Sequence, residues 1–521
     1  MVCNWIGAVQ SENNEMISSQ LKKYIDALLK LAWALFLILL PVTSFPYFPP
    51  TIGGSALVRP LSLYPLIILI ILVTVPYLLK KPIYPTLLTL VPLVIVVILS
   101  SLISFLQGVQ PSHGIGIAER SFRALITLAV GIGVYLTVTF FPRSREDLHS
   151  SLRWLYGGFF IALAWGSLQI IYIAHFNRLY FRWLNKIQQH LSIRRLFTNR
   201  VSGLTYEPNW FAEQITLLLL PWLLASVITG QSVFRWRWRW LTIELFLLVW
   251  AIFVLLFTFS RTGLIILAIL ILISVLFLRP LPVKTYLGSR VSLSRPFRRL
   301  LEAGLLLITL TIFTFIAGQN NEFFSRIWNY WSDKKSTSLS GYFEYLGFGA
   351  RLSYGETALN IFVDNPTFGV GLGNYAFYFN EYLPDEPLAP VPEILRLVTP
   401  ESGRDRLVTP KNFYLRLLSE TGLIGLAAFL AFLFAILGCA IFLWRNPIGR
   451  SDARFWGTAG ILGVISFSLA AFTFDSFAIP NMWVVFGFIT ASTWIIYKSQ
   501  KSKPEMPEFS QSEISQEMET D

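Results

Sequence analysis

Apolar runs close to twenty residues long alternate with short polar segments along most of the chain. Only a helix carries such a run across roughly 30 Å of hydrocarbon, because lipid leaves the backbone amides no water to bond. The pattern therefore predicts an all-α polytopic membrane protein with about 12 transmembrane helices. The predicted spans are 27–45, 61–79, 84–106, 122–141, 152–175, 209–229, 241–259, 263–279, 300–317, 420–444, 456–474 and 479–497.

One long polar interval, 318–411, separates the ninth predicted span from the tenth. A connection of this length is too long for a simple spacer, so we expect a partly helical loop that carries function. The acidic, proline-containing tail is predicted to be disordered. The predicted parts are a leader at 1–23, nine spans within 24–317 with a basic outer segment at 176–208, the large loop at 318–411, three spans within 412–498, and the tail at 499–521.

Composition and charge agree with a membrane protein whose topology is set by its basic residues. Of 521 residues, 54% are hydrophobic and only 14% are charged, and the net charge is +12. With a cytoplasmic N-terminus, five inside loops hold 17 Lys and Arg residues, whereas the short outside loops hold three. The positive-inside rule then predicts that both termini are cytoplasmic and that the large loop faces outward. The positive charge is thus a topology signal and does not indicate a nucleic-acid partner.

The basic outer segment does not follow this rule, because it places six Lys and Arg residues on the predicted outer side. One interpretation is an interfacial amphipathic helix whose cations meet lipid headgroups while Trp183, Leu184 and Leu191 enter the bilayer. The other is a basic rim that attracts an anionic, lipid-linked substrate. The two interpretations are compatible.

Two short motifs lie where spans meet the predicted outer face. In RVSGLTYEPNWFAE, Pro208 begins the sixth span. A structural interpretation of Glu207 is that its negative charge interacts favourably with the positive N-terminal end of that helix. In FSRTGLI, Arg261 stands between two spans, where it would reach headgroups by snorkelling. The small residues Thr262 and Gly263 after it also allow a helix or a ligand to approach closely.

The large loop holds the third group of candidate residues. Arg351 begins a run with helical character, and FGVGLGNY contains a glycine cluster that predicts a turn with close backbone approach to a helix or ligand. The loop ends at Lys411 in KNFYL. The four histidines are scattered without ligand spacing, so no metal site is predicted.

Taken together, these motifs resemble the O-antigen ligase and O-antigen polymerase family. The resemblance rests on SRTG between two spans, then ARLSYGETALNIFVDNPTFGVGLGNY, then KNFYLRLLSETGLIGL, and it covers about residues 200–430. It implies a metal-independent, inverting glycosyltransferase of the plasma (inner) membrane that needs no cofactor and whose large loop is periplasmic. The implied donor is a glycan on undecaprenyl pyrophosphate, and the implied acceptor is a saccharide or the lipid A core.

The family's pyrophosphate-holding arginines correspond to Arg261 and Arg351, which we expect to converge on one pyrophosphate. A fixed guanidinium stabilises the charge that develops on the leaving group. Where family ligases commonly have a histidine, this chain has Lys411, which favours a polymerase or a divergent transferase. Since a lysine is protonated at neutral pH, Lys411 is predicted to be an electrostatic contact and Glu207 to accept the acceptor's proton. The predicted substrate-binding residues are Arg200, Asn209, Asn374, Tyr375, Asn412 and Tyr414.

A transporter, for example of inorganic carbon, is the alternative class for a chain with this many spans. Ion-coupled transport usually needs charged side chains near the membrane midplane or interrupted helices in paired halves. The sequence places Glu213 and Asp475 near the outer ends of spans and Glu244 near an inner end. The pattern therefore favours the transferase.

Overall fold

The structure is a computed structural model, and the described part of the chain is a helical bundle. It covers residues 2–48, 57–80, 84–109, 111, 114–238, 241–278, 295–319, 321–332, 338–384, 408–446 and 450–501. Within these ranges the one sheet is an antiparallel pair, β1 (Arg237–Trp238) with β2 (Leu241–Thr242). The all-α polytopic class predicted from the hydrophobic pattern is confirmed.

In the part of the chain that the structure describes, seven helices precede this small sheet and ten follow it. The first seven are α1 (Val2–Ile38), α2 (Leu63–Lys80), α3 (Pro85–Leu106), α4 (Ile117–Phe140), α5 (Arg145–Ala174), α6 (Arg178–Leu191) and α7 (Pro208–Thr229). The others are α8 (Ile243–Phe257), α9 (Arg261–Leu278), α10 (Arg295–Gly318), α11 (Glu322–Ser332), α12 (Leu339–Tyr345), α13 (Gly349–Asp364), α14 (Tyr375–Tyr382), α15 (Phe413–Arg445), α16 (Arg450–Ala470) and α17 (Asn481–Lys501).

Each of the twelve predicted spans coincides with a helix. In the described ranges, nine helices are long and apolar enough to cross a membrane by length and composition, namely α2, α3, α4, α5, α7, α9, α10, α15 and α16. The remaining three predicted spans fall on α1, α8 and α17. A continuous apolar run is therefore sufficient to place the helices, because its length and composition do not depend on packing.

The first helix departs from its predicted bounds at both ends. It begins at Val2, so the predicted leader is helical and continuous with the first span. It ends at Ile38, before the predicted limit of residue 45, since Pro41 lacks the N–H that would continue the helical ladder. The chain then pairs with a later segment, where the Phe45 N–H donates to the Arg59 carbonyl at 2.9 Å.

Helix α7 lies at the centre of the bundle. Its most apolar stretch is 89% buried, whereas that of α10 is 11% buried and covers the outside. The core around α7 contains the fully buried side chains of Trp222, Trp456 and Trp483, and the first two rings meet edge to face at 5.4 Å. Such aromatic packing fixes the neighbouring helices around α7.

In its described residues the large loop contains four helices, α11 to α14, that pack onto one end of the bundle, which we call the loop-bearing end. They contact the first turns of α9 and α15 and the turn between α16 and α17. The partly helical loop predicted from the sequence is therefore observed. Residues 385–407, the inside loop at 279–294 and the predicted disordered tail from 502 onward lie outside the described residues.

Helix α6 is the amphipathic helix of the basic segment. Trp183 is 55% exposed, as one interpretation predicts, but Leu184 is fully buried. Leu184 packs against Tyr172 and Leu196 inside the protein, so the prediction that it enters lipid is wrong. The direction of a side chain on this helix is decided by α5, which packs beneath it.

Candidate functional site

The glycine cluster docks onto a break in helix α15. At Gly422 the backbone has φ 66° and ψ −170°, which divides α15 into a short helix and a longer apolar one. The Val370 N–H donates to the Ser419 carbonyl at 3.0 Å, and the Gly371 N–H donates to the Glu420 carbonyl at 2.8 Å. The predicted close approach of this turn to a helix is therefore observed, and glycine is required because there is no room for Cβ atoms.

A buried ionic network holds the same junction. The Glu420 carboxylate accepts from the Arg416 Nε at 2.9 Å and from the Gly373 N–H at 2.8 Å. The Arg120 Nε donates to the Gly373 carbonyl at 2.9 Å, and Arg416 also donates to the carbonyl of Asp475. Because unpaired charges are costly in a low-dielectric interior, these paired groups bind the loop, α4 and α15 into one unit.

Asp475 connects this network to Lys411. Its carboxylate accepts the Lys411 N–H at 2.8 Å, and Lys411 has a left-handed backbone with φ 56°. Burial alone would raise the pKa of Asp475, but Lys411 and Arg416 outweigh it and hold the pKa below its ordinary value. The ionised carboxylate of Asp475 thus holds the strained backbone of Lys411 in place. A strained backbone conformation persists only where surrounding contacts hold it, and such positions are common near functional sites.

A cavity of about 600 Å³ opens where α13 meets this lysine. Its described lining contains two cationic residues, Arg351 and Lys411, and one carboxylate, Glu356. The other lining residues are Phe343, Phe348, Leu352, Gly355, Leu359, Pro410, Asn412, Leu415, Phe472 and Thr473. A mostly apolar concave site with a few charged groups is typical of a ligand-binding site.

Two further arginines lie beside this cavity and are linked to it by aromatic rings. The guanidinium carbons of Arg200 and Arg261 lie 4.3 and 4.8 Å from the ring centroid of Phe323. The Arg261 guanidinium also lies 5.8 Å from the ring centroid of Phe348, which lines the cavity. The ring of Phe348 therefore lies between Arg261 and the cavity. The Arg261 N–H groups donate to the carbonyls of Leu346 at 2.8 Å and Phe323 at 3.1 Å.

Arg200 is buried against the start of α7. Its Nε donates to the Thr258 carbonyl at 2.9 Å, and its Nη2 donates to the Asn209 Oδ1 at 2.8 Å. Burial lowers the pKa of Arg200 to about 10, with Arg261 acting in the same direction and Glu207 against it. Two cations held on one ring repel each other, so a bound anion would stabilise this arrangement.

Residues 246–430, from α8 into α15, match the protein-family model described as O-antigen ligase. The match confirms the resemblance drawn from the motifs, and it contains Arg261, Arg351, Glu356 and Lys411. No curated protein matches the chain. The match supports an O-antigen ligase-type, glycan-transferring function in general for this multi-pass membrane protein.

The structure does not place both predicted arginines in the lining of this cavity. Arg351 lines the cavity and its Nη1 lies 3.5 Å from the Thr473 carbonyl. Arg261 is not among the lining residues, since it ties the start of α9 to the loop instead. The prediction of a shared cavity is corrected to two neighbouring cationic positions separated by Phe348.

Glu207 does not reach the cavity either. It precedes the first residue of α7 without capping that helix through its side chain, and it pairs with the Arg194 Nη1 at 2.5 Å. The guanidinium of Arg194 also stacks on the ring of Tyr206 at 4.9 Å. The carboxylate is thus engaged by the basic segment, which corrects its prediction as the proton acceptor.

Asn374 and Tyr375, predicted to bind substrate, are fully buried in the docked loop. The Asn374 amide donates to the Ser104 Oγ at 3.1 Å and accepts from the Ser121 Oγ at 3.2 Å. The Tyr375 hydroxyl donates to the Tyr354 carbonyl at 2.9 Å. Neither Asn374 nor Tyr375 lines the cavity. Their hydrogen bonds hold the start of α14 against α3, α4 and α13.

The end of the loop supplies helix caps. The Asn412 Oδ1 accepts from the N–H groups of Tyr414 at 3.0 Å and Leu415 at 3.1 Å, so Asn412 is the N-cap of α15. The Tyr414 hydroxyl donates to the Ser468 carbonyl at 3.0 Å. Asn412 still lines the cavity, whereas the polar atom of Tyr414 is used to join α15 to α16.

Glu356 is the cavity residue that the motifs did not reveal. It lies on the same face of α13 as Arg351, Leu352, Gly355 and Leu359, all of which line the cavity. Residues one, four, five and eight positions after Arg351 follow a single helical stripe. A helical projection centred on Arg351 would therefore have indicated Glu356. Among the described residues, no group of three or more His, Cys, Asp and Glu side chains is placed to hold a metal ion, and metal independence stays a prediction.

Proposed function

We propose that the chain is a glycosyltransferase that moves a glycan from undecaprenyl pyrophosphate to a saccharide acceptor at the loop-bearing end. The observation that carries the proposal is the cavity on which Arg351 and Lys411 converge within the family-matched stretch. Arg351 lies within the large loop, and Lys411 is its last residue. The fold thus lets two cations that are sixty residues apart in sequence line one cavity.

The proposed reaction explains the need for fixed cations. The acceptor hydroxyl oxygen bonds to the anomeric carbon of the donor sugar, and the bond from that carbon to the pyrophosphate oxygen breaks. The electron pair stays on the pyrophosphate, whose growing negative charge Arg351 and Lys411 would stabilise. Each such contact contributes a few kcal/mol in the transition state, or about a hundredfold in rate. An inverting, metal-independent reaction is part of the proposal.

Arg261 and Arg200 have a second role in the proposal. Both lie outside the cavity lining, yet they add positive potential at the same end of the bundle. Arg261 also donates to two carbonyls of the loop and thereby holds α11 and α12 beside the cavity. We infer that they attract the anionic lipid pyrophosphate towards Arg351 and position the loop that binds it.

The proposal places the reaction on the periplasmic face of the plasma (inner) membrane, with both termini cytoplasmic. It is supported by the distribution of basic residues among the short loops. The lipid-linked donor would approach through the bilayer. The acceptor is a saccharide chain in a polymerase or the lipid A core in a ligase, and Lys411 in place of histidine favours the polymerase.

The structure offers no specific support for a transporter. Three buried carboxylates in the bundle each accept hydrogen bonds from the protein. Glu213 accepts from the Asn481 Nδ2 at 3.0 Å, Glu244 accepts from the Val233 N–H at 2.8 Å, and Glu420 pairs with Arg416. Such engaged carboxylates serve to join helices.

The proposed function is tested with a deletion strain and with purified protein. Deletion should remove long surface glycan while single repeats remain attached if the chain is a polymerase. It should leave lipid-linked polymer and bare core if the chain is a ligase. Purified protein in nanodiscs should then extend or transfer the lipid-linked oligosaccharide extracted from the deletion strain. A deletion strain with normal surface glycan, together with no transfer in nanodiscs, would refute the proposal.

A further inference from the structure

Glu356 carries a feature that the packing of the protein does not explain. Its side chain lines the cavity, and its Oε2 is buried without a hydrogen-bond partner. A buried polar atom without a partner costs about 1–3 kcal/mol, and more when it is charged. Glu356 lines a cavity together with Arg351 and Lys411, so a ligand bound there would supply the missing partner.

Gly355, next to this carboxylate in sequence, lets α13 pack closely against the start of α15. A Cβ atom at Gly355 would come within 3.2 Å of the Leu415 Cδ1, so a larger side chain would press against Leu415. Gly355 and Leu415 both line the cavity. The helix face that carries Arg351 and Glu356 therefore lies against the segment that contributes Lys411, Asn412 and Leu415 to the same cavity.

No other lining residue can accept a proton as readily. Arg351 and Lys411 are hydrogen-bond donors in their charged forms, and the Asn412 Oδ1 is occupied by the helix cap. The Thr473 hydroxyl donates to the Ala470 carbonyl at 3.0 Å. Among the described residues that line the cavity, Glu356 is therefore the one carboxylate, and the Glu207 carboxylate is paired with Arg194 elsewhere.

We propose that Glu356 is the general base of the transfer reaction. The inference rests on the proposed function and deepens it by naming the group that takes the acceptor's proton. As the acceptor oxygen bonds to the anomeric carbon, its O–H bond breaks and the proton passes to the Glu356 carboxylate. The bond from that carbon to pyrophosphate breaks at the same time, and its electron pair leaves with the pyrophosphate held by Arg351 and Lys411. Glu356 later returns the proton to water.

The test uses the full chain in nanodiscs with lipid-linked oligosaccharide extracted from a strain that lacks the protein. Glu356→Gln keeps the size and polarity of the side chain but removes its basicity. We expect the turnover number to fall by about 10²- to 10⁴-fold, because that is the usual contribution of a general base. The donor KM should stay within about threefold, since donor binding is assigned to other residues. Glu356→Asp should recover part of the turnover because it restores a carboxylate.

Thermal stability separates this role from a structural one. Glu356→Gln replaces a carboxylate whose inward oxygen has no partner, so its melting temperature should equal or exceed that of the wild type. Glu381→Gln is the matched control, because Glu381 is exposed on α14 and lies outside the cavity lining. This control should retain full turnover.

Two results would overturn the assignment while leaving the proposed function in place. One is a Glu356→Gln protein that transfers glycan at a rate close to that of the wild type. The other is a Glu356→Gln protein that loses donor binding and thermal stability together with turnover, which would indicate a structural role. A wild-type protein that transfers no glycan, in contrast, would refute the proposed function and this assignment with it.

Discussion

The docking of the glycine cluster predicts that Gly422→Ala releases the loop from α15. The conformation of Gly422, φ 66° and ψ −170°, is almost restricted to glycine, and forcing alanine into it costs about 1–3 kcal/mol. An added Cβ would also lie 2.2 Å from the Thr367 carbonyl oxygen, which is far inside van der Waals contact. The loop must therefore move away from the helix.

The magnitude follows from the hydrogen bonds that this movement breaks. The Leu423 N–H donates to the Pro366 carbonyl at 2.8 Å, and Val370 and Gly371 donate to α15 at 3.0 and 2.8 Å. Three bonds worth about 1 kcal/mol each, added to the strain, give a loss of roughly 4–6 kcal/mol in docking free energy. The population of the undocked loop should therefore rise by about 10³- to 10⁴-fold.

Hydrogen exchange measured by mass spectrometry is the direct assay. Backbone amides in peptides covering 366–374 should exchange much faster in Gly422→Ala than in the wild type. Gly438→Ala is the matched control on the same helix, because a Cβ at Gly438 meets no atom within 4 Å. It should leave exchange in 366–374 unchanged and stabilise α15 by up to about 1 kcal/mol. Equal protection of the loop in Gly422→Ala and wild type would refute the reasoning.

Three further predictions concern orientation, charge and pH. In a cysteine-free background, a cysteine replacing the exposed Glu381 should react with a membrane-impermeant thiol reagent in intact cells, and one replacing the exposed Arg235 should not; reversed labelling would invert the topology. Lys411→Arg should keep substantial transfer activity in nanodiscs while Lys411→Ala loses about 10²-fold, and equal loss in both would contradict a purely electrostatic contact. Because the pKa of Asp475 is lowered, its ionised form stabilises the fold at neutral pH, and this is lost as the pH falls below about 4 through the folded-state value. Asp475→Asn should thus lower the free energy of unfolding by about 1–3 kcal/mol at pH 7. Its melting temperature should also fall less steeply with decreasing pH than that of the wild type, and an unchanged pH dependence would contradict this prediction.

The sequence by itself determined the membrane helices, the helical character of the segment after Arg351 and the glycine turn. These features are local. A twenty-residue apolar run has no stable alternative to a helix in lipid. A glycine cluster marks backbone conformations that residues with a Cβ atom rarely adopt. The family motifs were also readable without the fold, because their residue types and order are properties of the chain.

Only the tertiary structure decided which polar side chains face the cavity. Asn374 lies next to the glycine turn in sequence, yet α3 and α4 cover it and take up its amide. Glu207 lies two residues before Asn209, a predicted substrate-binding residue, yet its carboxylate pairs with Arg194 outside the cavity. Glu356 lies within the loop motif but was not singled out there, and its importance comes from the packing of α13 on α15, which lets Glu356 and Lys411 line the same cavity. The direction and partner of a side chain depend on elements distant in sequence, and these are set by packing rather than by local pattern.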